Sequence, residues 1–258
     1  VADSLAWKAI FEKFNIWDHD FDKIPFEIAA NQIKVATNHF SRTAQREVRL
    51  LCKQDRREDR PAVFRNKGLF ILPIRNGVYV IVKGEGYMDI PTIQTSPEPY
   101  YSDLDFPLIT SQIGDSEMQH LDFAYANSVI RNFANDDSLV LTIRGRKYTP
   151  RFDFRVGNHS IAVKGVQTEI DAGYEGKNQV VLIEAKKSAE SNTIIRQLYY
   201  PFRQWKYHLN QRGVEKDVSI VFFENAEDEY RLWQFMFPNE SDYNSIELVK
   251  TRRYQFKY

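Results

Sequence analysis

The stretch from Gln179 to Lys186 constrains this chain most: an apolar, β-branched run, Val180-Val181-Leu182-Ile183, that ends abruptly on Glu184-Ala185-Lys186. It is entered through the polar turn Glu175-Gly176-Lys177-Asn178 and is too apolar for an exposed edge, so it reads as a buried strand. Side chains alternate along a strand, which puts Glu184 and Lys186 on one face and Ile183 and Ala185 on the other. A carboxylate and an ammonium therefore leave the sheet side by side. Thirteen residues before Glu184, Glu169-Ile170-Asp171 closes another strand-like run, so a further acid arrives at the same end of the sheet.

An E-x-K tripeptide alone is more often a surface ion pair. Here the buried strand, the upstream Asp171 and an amphipathic helix directly afterwards favour chemistry. Hydrolysing a phosphodiester takes a hard cation on the phosphoryl oxygens, an in-line water and a cationic group near that water. Mg²⁺ accepts one or two carboxylates and keeps several waters, so a pair such as Asp171 and Glu184 suits it. A neighbouring lysine can orient or deprotonate the nucleophile.

The pattern resembles the PD-(D/E)xK nuclease superfamily over roughly residues 115 to 235, with Asp171 as the first acid and Glu184-Ala185-Lys186 as the (D/E)xK element. Ile170 stands where the motif's proline would be. The resemblance implies an α/β fold, a restriction-endonuclease-like mixed sheet flanked by helices. It also implies Mg²⁺ held by Asp171, Glu184 and the Ala185 carbonyl, with Lys186 near the attacking water. Glu169, two residues from Asp171, and Glu117, on an upstream helix, are candidates to extend the acidic cluster; either can equally be an exposed residue without a role. Gln197 is the candidate for a supporting helix residue.

Ile194, Ile195, Leu198, Phe202, Trp205 and Leu209 recur at helical spacing, predicting a helix over 192–211, capped by Ser191 or Asn192 and kinked at Pro201. Arg196, Tyr200, Arg203 and Tyr207 form a second stripe that either touches phosphates or is a solvated face. A helix is expected over 116–134, strands at 139–143, 151–156, 160–164, 167–172 and 218–223, and a further strand from Tyr230 to Phe237.

The N-terminal third is helix-rich over 26–52 and then carries two apolar runs around Asn76-Gly77, a hairpin signal. Helices followed by a hairpin suggest a winged-helix-like DNA-binding domain, residues 1–95, ahead of a nuclease domain, residues 96–258, with the Pro-rich segment 84–115 as connection. From Ser41 to Gly68 nine Lys or Arg face four acids. That local excess makes Arg42, Arg46, Arg49, Lys53, Arg56 and Arg57, with Arg196 and Arg203 of the later helix, the candidate DNA contacts. Pairing with Asp55, Glu58 and Asp59 is the competing reading.

With 35 basic and 35 acidic residues the chain is no general polyanion binder, which excludes a coating role. The single Cys52 excludes an internal disulfide and a thiol zinc finger and fits a reducing compartment. The five histidines lack metal-ligand spacing, and no apolar run reaches membrane length. The expectation is thus a cytoplasmic, prokaryotic type II restriction endonuclease that cuts double-stranded DNA with Mg²⁺, as a homodimer since two strands need two sites. A repair or recombination nuclease of the same superfamily and a non-catalytic DNA-binding regulator are the alternatives.

Overall fold

The computed structural model describes residues 2–187, 190–226 and 229–257. Its N-terminal part contains α1 (Ser4–Lys13), β1 (Phe26–Ala29), α2 (Ala30–Thr37), two single-turn helices α3 (Thr43–Arg46) and α4 (Val48–Leu51), α5 (Ala62–Lys67), β2 (Leu69–Arg75) and β3 (Val78–Lys83). Asp3 caps α1 by accepting from the Ala6 N–H at 2.9 Å, which satisfies one of the helix's orphan donors. Trp7, Phe11 and Phe64 then build a core of edge-on rings, with Trp7 and Phe64 centroids 4.7 Å apart.

Strands β1, β3 and β2 pair antiparallel in that order. Only Gly77 in the Asn76-Gly77 turn takes a positive φ, 69°, so the turn is not the mirror-image two-residue type, and a register shift between Pro73 and Arg75 absorbs the mismatch. The helix-rich expectation for 26–52 is corrected at its start. Phe26–Ala29 is a strand because its backbone completes the sheet edge along β3.

Then follow β4 (Tyr87–Asp89), β5 (Glu98–Tyr101), α6 (Glu117–Ala126), α7 (Val129–Ala134), β6 (Val140–Tyr148), β7 (Phe152–Val156), β8 (His159–Val163), β9 (Gln167–Glu175), β10 (Gln179–Lys186), β11 (Asn192–Ile194), α8 (Arg196–Gln211), β12 (Asp217–Ala226), β13 (Glu229–Met236) and β14 (Glu247–Lys257). A seven-stranded mixed sheet runs β5-β14-β13-β12-β10-β9-β6, with β10 parallel to β12 and antiparallel to β9. The fold is mixed α/β, a largely β core flanked by helices.

Alternation along β10 sorts its side chains between two cores. Val180 and Leu182 join Leu198, Tyr199 and Phe202 of α8, whereas Val181, Ile183 and Ala185 join Leu121 of α6 and Ile130 and Phe133 of α7. The β2–β3 hairpin is shared in the same way: Leu69, Ile71 and Ile81 face the N-terminal core, while Phe70, Leu72, Ile74, Val80 and Val82 face the α8 core.

Several sequence expectations need correction. The helix over 192–211 begins only at Arg196, because Asn192–Ile194 pairs with β4 instead; Asn192 does not cap that helix but accepts from the Arg57 N–H at 2.8 Å and gives its amide to Glu58. Pro201 falls inside α8, as expected. The helix over 116–134 is two, broken where Ser128 adopts φ 62°. Segment 84–115 is more than a connection, since it supplies β4 and β5. The strand β14 was not anticipated. No helix among the described residues is long and apolar enough to cross a membrane.

Candidate active site at the parting of two strands

The ladder between β9 and β10 pairs Val180 with Glu175 through Ile183 with Ala172 and then stops. At the same place the register between β6 and β9 slips, from Ile143 opposite Gly173 to Gly145 opposite Ile170. Ile170 and Ala172, two residues apart, consequently point into opposite cores. A strand can do this only by interrupting its alternation, as a bulge does, and the residue at the interruption is Asp171.

Freed from the regular ladder, the Asp171 carboxylate takes the place of a main-chain acceptor: its Oδ2 accepts from the Ala185 N–H at 2.7 Å. The Arg144 guanidinium donates to the Asp171 carbonyl at 3.2 Å and is itself paired with Asp122. Glu184 and Lys186 lie on one face as the alternation requires, and Lys186 Nζ donates to Glu184 Oε1 at 2.5 Å. Asp171 and Glu184 line one cavity of about 290 Å³ together with Glu169, Arg196 and Gln197.

Burial raises the Asp171 carboxyl above its usual range, against the pull of the Ala185 N–H and Lys186. Burial likewise pushes Glu184 up to about 7, since Lys186 offsets desolvation only in part and Asp171 adds repulsion. For Lys186 burial works downward, but the attraction of Glu184 outweighs it and its pKa is raised. Two half-compensated carboxylates beside a charged amine are short of positive charge.

Among the described residues no group of three or more His, Cys, Asp or Glu side chains is placed to hold a metal. The donors to a cation would be the two carboxylates, main-chain oxygen and water, a sparse set that suits Mg²⁺ rather than Zn²⁺. Glu169 lies in the cavity but is exposed and paired with Arg146 at 3.2 Å. Glu117 lines the adjoining cleft with Lys186. Gln197 accepts from Thr193 Oγ1 at 2.8 Å and lines the same cavity as the two acids.

The expected DNA contacts divide. Arg42, Arg46 and Arg49 are exposed and, among the described residues, pair with no carboxylate. Lys53 lies 3.9 Å from Asp55, and Arg196 lies 3.4 Å from the same residue. Arg56 pairs with Asp59, as the competing reading expects, and with Glu190; Arg57 is also paired, but with Asp89 and Glu85 rather than the acids named for it. Arg203 is spent internally, donating to the Asp153 carbonyl and to the Tyr199 hydroxyl at 2.7 Å while stacking on Phe152. Tyr200 is fully buried, its hydroxyl on the Pro73 carbonyl at 3.0 Å, whereas Tyr207 at the other end of the stripe is exposed, so only part of the stripe is a solvated face.

Residues 82–255 match the family model described as a domain of unknown function, DUF6997, and residues 4–81 match a second such domain, DUF6996. The chain belongs to the DUF6997 family. No curated protein and no solved structure matches it. The DUF6997 span contains Asp171, Glu184 and Lys186, and the Lys53–Asp55 segment beside them lies in the DUF6996 span. The two spans meet inside β3.

Sequence reasoning gave neither Arg144 nor Asn192 a role in the site. Neither belongs to a local motif: Arg144 reaches Asp171 across paired strands, and Asn192 contacts Glu58 across 134 positions of sequence.

Proposed function

We propose that the chain is a Mg²⁺-dependent endonuclease of the PD-(D/E)xK superfamily, acting on double-stranded DNA as a type II restriction enzyme. The observation that carries the reading is the convergence of Asp171, Glu184 and Lys186 where β9 and β10 part. A restriction-endonuclease-like core is supported by the β9–β10 hairpin, the parallel partner β12 and helices on both faces. The helices packed on the β1-β3-β2 sheet support a winged-helix-like N-terminal part.

When bound, Mg²⁺ polarises the phosphoryl group and acidifies a coordinated water. The Asp171 and Glu184 carboxylates and the Ala185 carbonyl would hold it. Lys186, whose ammonium lies against Glu184, would orient the nucleophile or stabilise charge on the phosphate. Gln197 and Arg196 fix the substrate side of the cavity. Cutting both strands at once calls for two such sites, hence a homodimer on DNA.

Incubation with plasmid and phage DNA in Mg²⁺, with EDTA as control, tests the reading. Discrete fragments that vanish with EDTA are the expected result. Smearing would point to repair or recombination, and intact but gel-shifted DNA to a non-catalytic regulator.

A further inference from the structure

Two depressions adjoin the cavity that holds the catalytic acids, sharing Gln197 with it, and their charge differs. The cleft of about 610 Å³ beside Lys186 has Lys53, Arg56 and Lys186 on its walls against Asp55, Asp59, Glu117 and Glu190. The groove of about 520 Å³ toward the β2–β3 turn has Arg49, Lys53, Arg75 and Arg196 against Asp55 and Glu169. A polyanion is repelled by the first balance and drawn by the second. This groove is continuous with the catalytic cavity, since both are lined by Gln167, Glu169, Arg196 and Gln197. Its far end is the exposed tip Arg75-Asn76-Gly77, where Arg75 pairs with Glu27, both half open to solvent.

The tip is also fixed in place. Tyr200 of α8 bonds the Pro73 carbonyl, the Lys164 N–H bonds the Ile74 carbonyl at 3.0 Å, and the Ala30 N–H bonds the Gly77 carbonyl at 2.8 Å. On the other wall the Ile194 N–H bonds the Asp55 carbonyl at 2.7 Å. Among the described residues, these bonds tie the groove walls to α8 and to the turn before β9.

We propose that this groove carries the DNA backbone on Arg49, Lys53 and Arg196, and that Arg75 and Asn76 at the hairpin tip read base edges, so the recognised sequence lies immediately beside the cut. An amide and a guanidinium are the side chains suited to bidentate contact with adenine and guanine. The inference rests on the nuclease reading for the cut, but its binding half stands separately.

The test measures duplex binding by fluorescence anisotropy in EDTA across a salt series. Combined Arg49→Ala, Lys53→Ala and Arg75→Ala is compared with Lys8→Ala, Lys23→Ala and Arg212→Ala, which remove equal charge from the surface elsewhere; thermal melting confirms that both variants fold. The groove variant is expected to lose at least about tenfold in affinity and up to about three from the salt slope, and the control far less. Equal losses, or wild-type binding by the groove variant, would overturn the path. Asn76→Ala is expected to keep the salt slope but lose about tenfold in preference when random duplexes are selected by binding; an unchanged preference removes Asn76 as a reader. Cutting that survives intact in the groove variant sinks the path and leaves the nuclease reading standing. Groove-dependent binding without cleavage in any divalent cation does the reverse.

Discussion

At the scale of single residues, burial holds the Asp171 and Glu184 carboxyls above their usual range. Replacing Glu184 or Lys186 by alanine is expected to lower cleavage by roughly 100-fold or more while DNA affinity stays within a few-fold; retained cutting in a plasmid assay would remove the site assignment. The raised Glu184 carboxyl also fixes a pH dependence. Below about 4.5 the group is neutral whether the chain is folded or not, so its burial carries no charge penalty. As pH rises to about 7 the unfolded chain ionises first and the fold loses stability, roughly 3 kcal/mol once the window is crossed. Lys186 remains charged throughout this range, its pKa being raised from 10.5. In EDTA, calorimetry should therefore show the melting temperature of the protein falling over this window relative to Glu184→Gln, and Mg²⁺ should close the gap above pH 7. Glu184 and Lys186 were legible in the sequence because strand alternation is a local rule. Arg203 and Tyr200 were not, since a polar stripe on a helix looks the same whether it meets solvent or the inside of a neighbouring β-hairpin.

At the scale of elements, the departure of β9 from its ladder is the feature that positions the site, and Gly173 sits two residues from it. A Cβ there would lie 2.7 Å from Ile143 Cβ, closer than real contacts allow, so β6 and β9 could not keep their present approach. Gly173→Ala is expected to destabilise the fold by about 1–3 kcal/mol and to reduce cleavage beyond what the stability loss explains; urea melts paired with activity at a permissive temperature would check both. Strong periodicity or turn chemistry made β10, β12 and the β2–β3 hairpin readable. Strand β14 escaped because only Tyr254 among its eleven residues is buried and its middle is Lys250-Thr251-Arg252-Arg253, which carries no alternating apolar signal. The start of α8 was misplaced because Ile194 and Ile195 satisfy a helical stripe as well as a short strand, and the choice was made by a distant partner, β4.

At the scale of the whole molecule, the hairpin β2–β3 is a wall between two cores. Neither part can dispense with it, so full-length protein is expected to unfold in one cooperative transition, and separate fragments 1–81 and 96–258 to lack dispersed amide spectra. Leu72→Ala, which opens the α8 side of the wall, should cost about 2–5 kcal/mol in chemical denaturation. The join between the two matched families gives the wall a historical meaning. It falls between Ile81, which faces one core, and Val82, which faces the other. A chimaera spliced there would weave a strand from two parents, each contributing side chains to a chamber mostly built by the other. Ancestral shuffling of the two halves would thus have had to preserve both linings together, and descendants should inherit them as a matched pair.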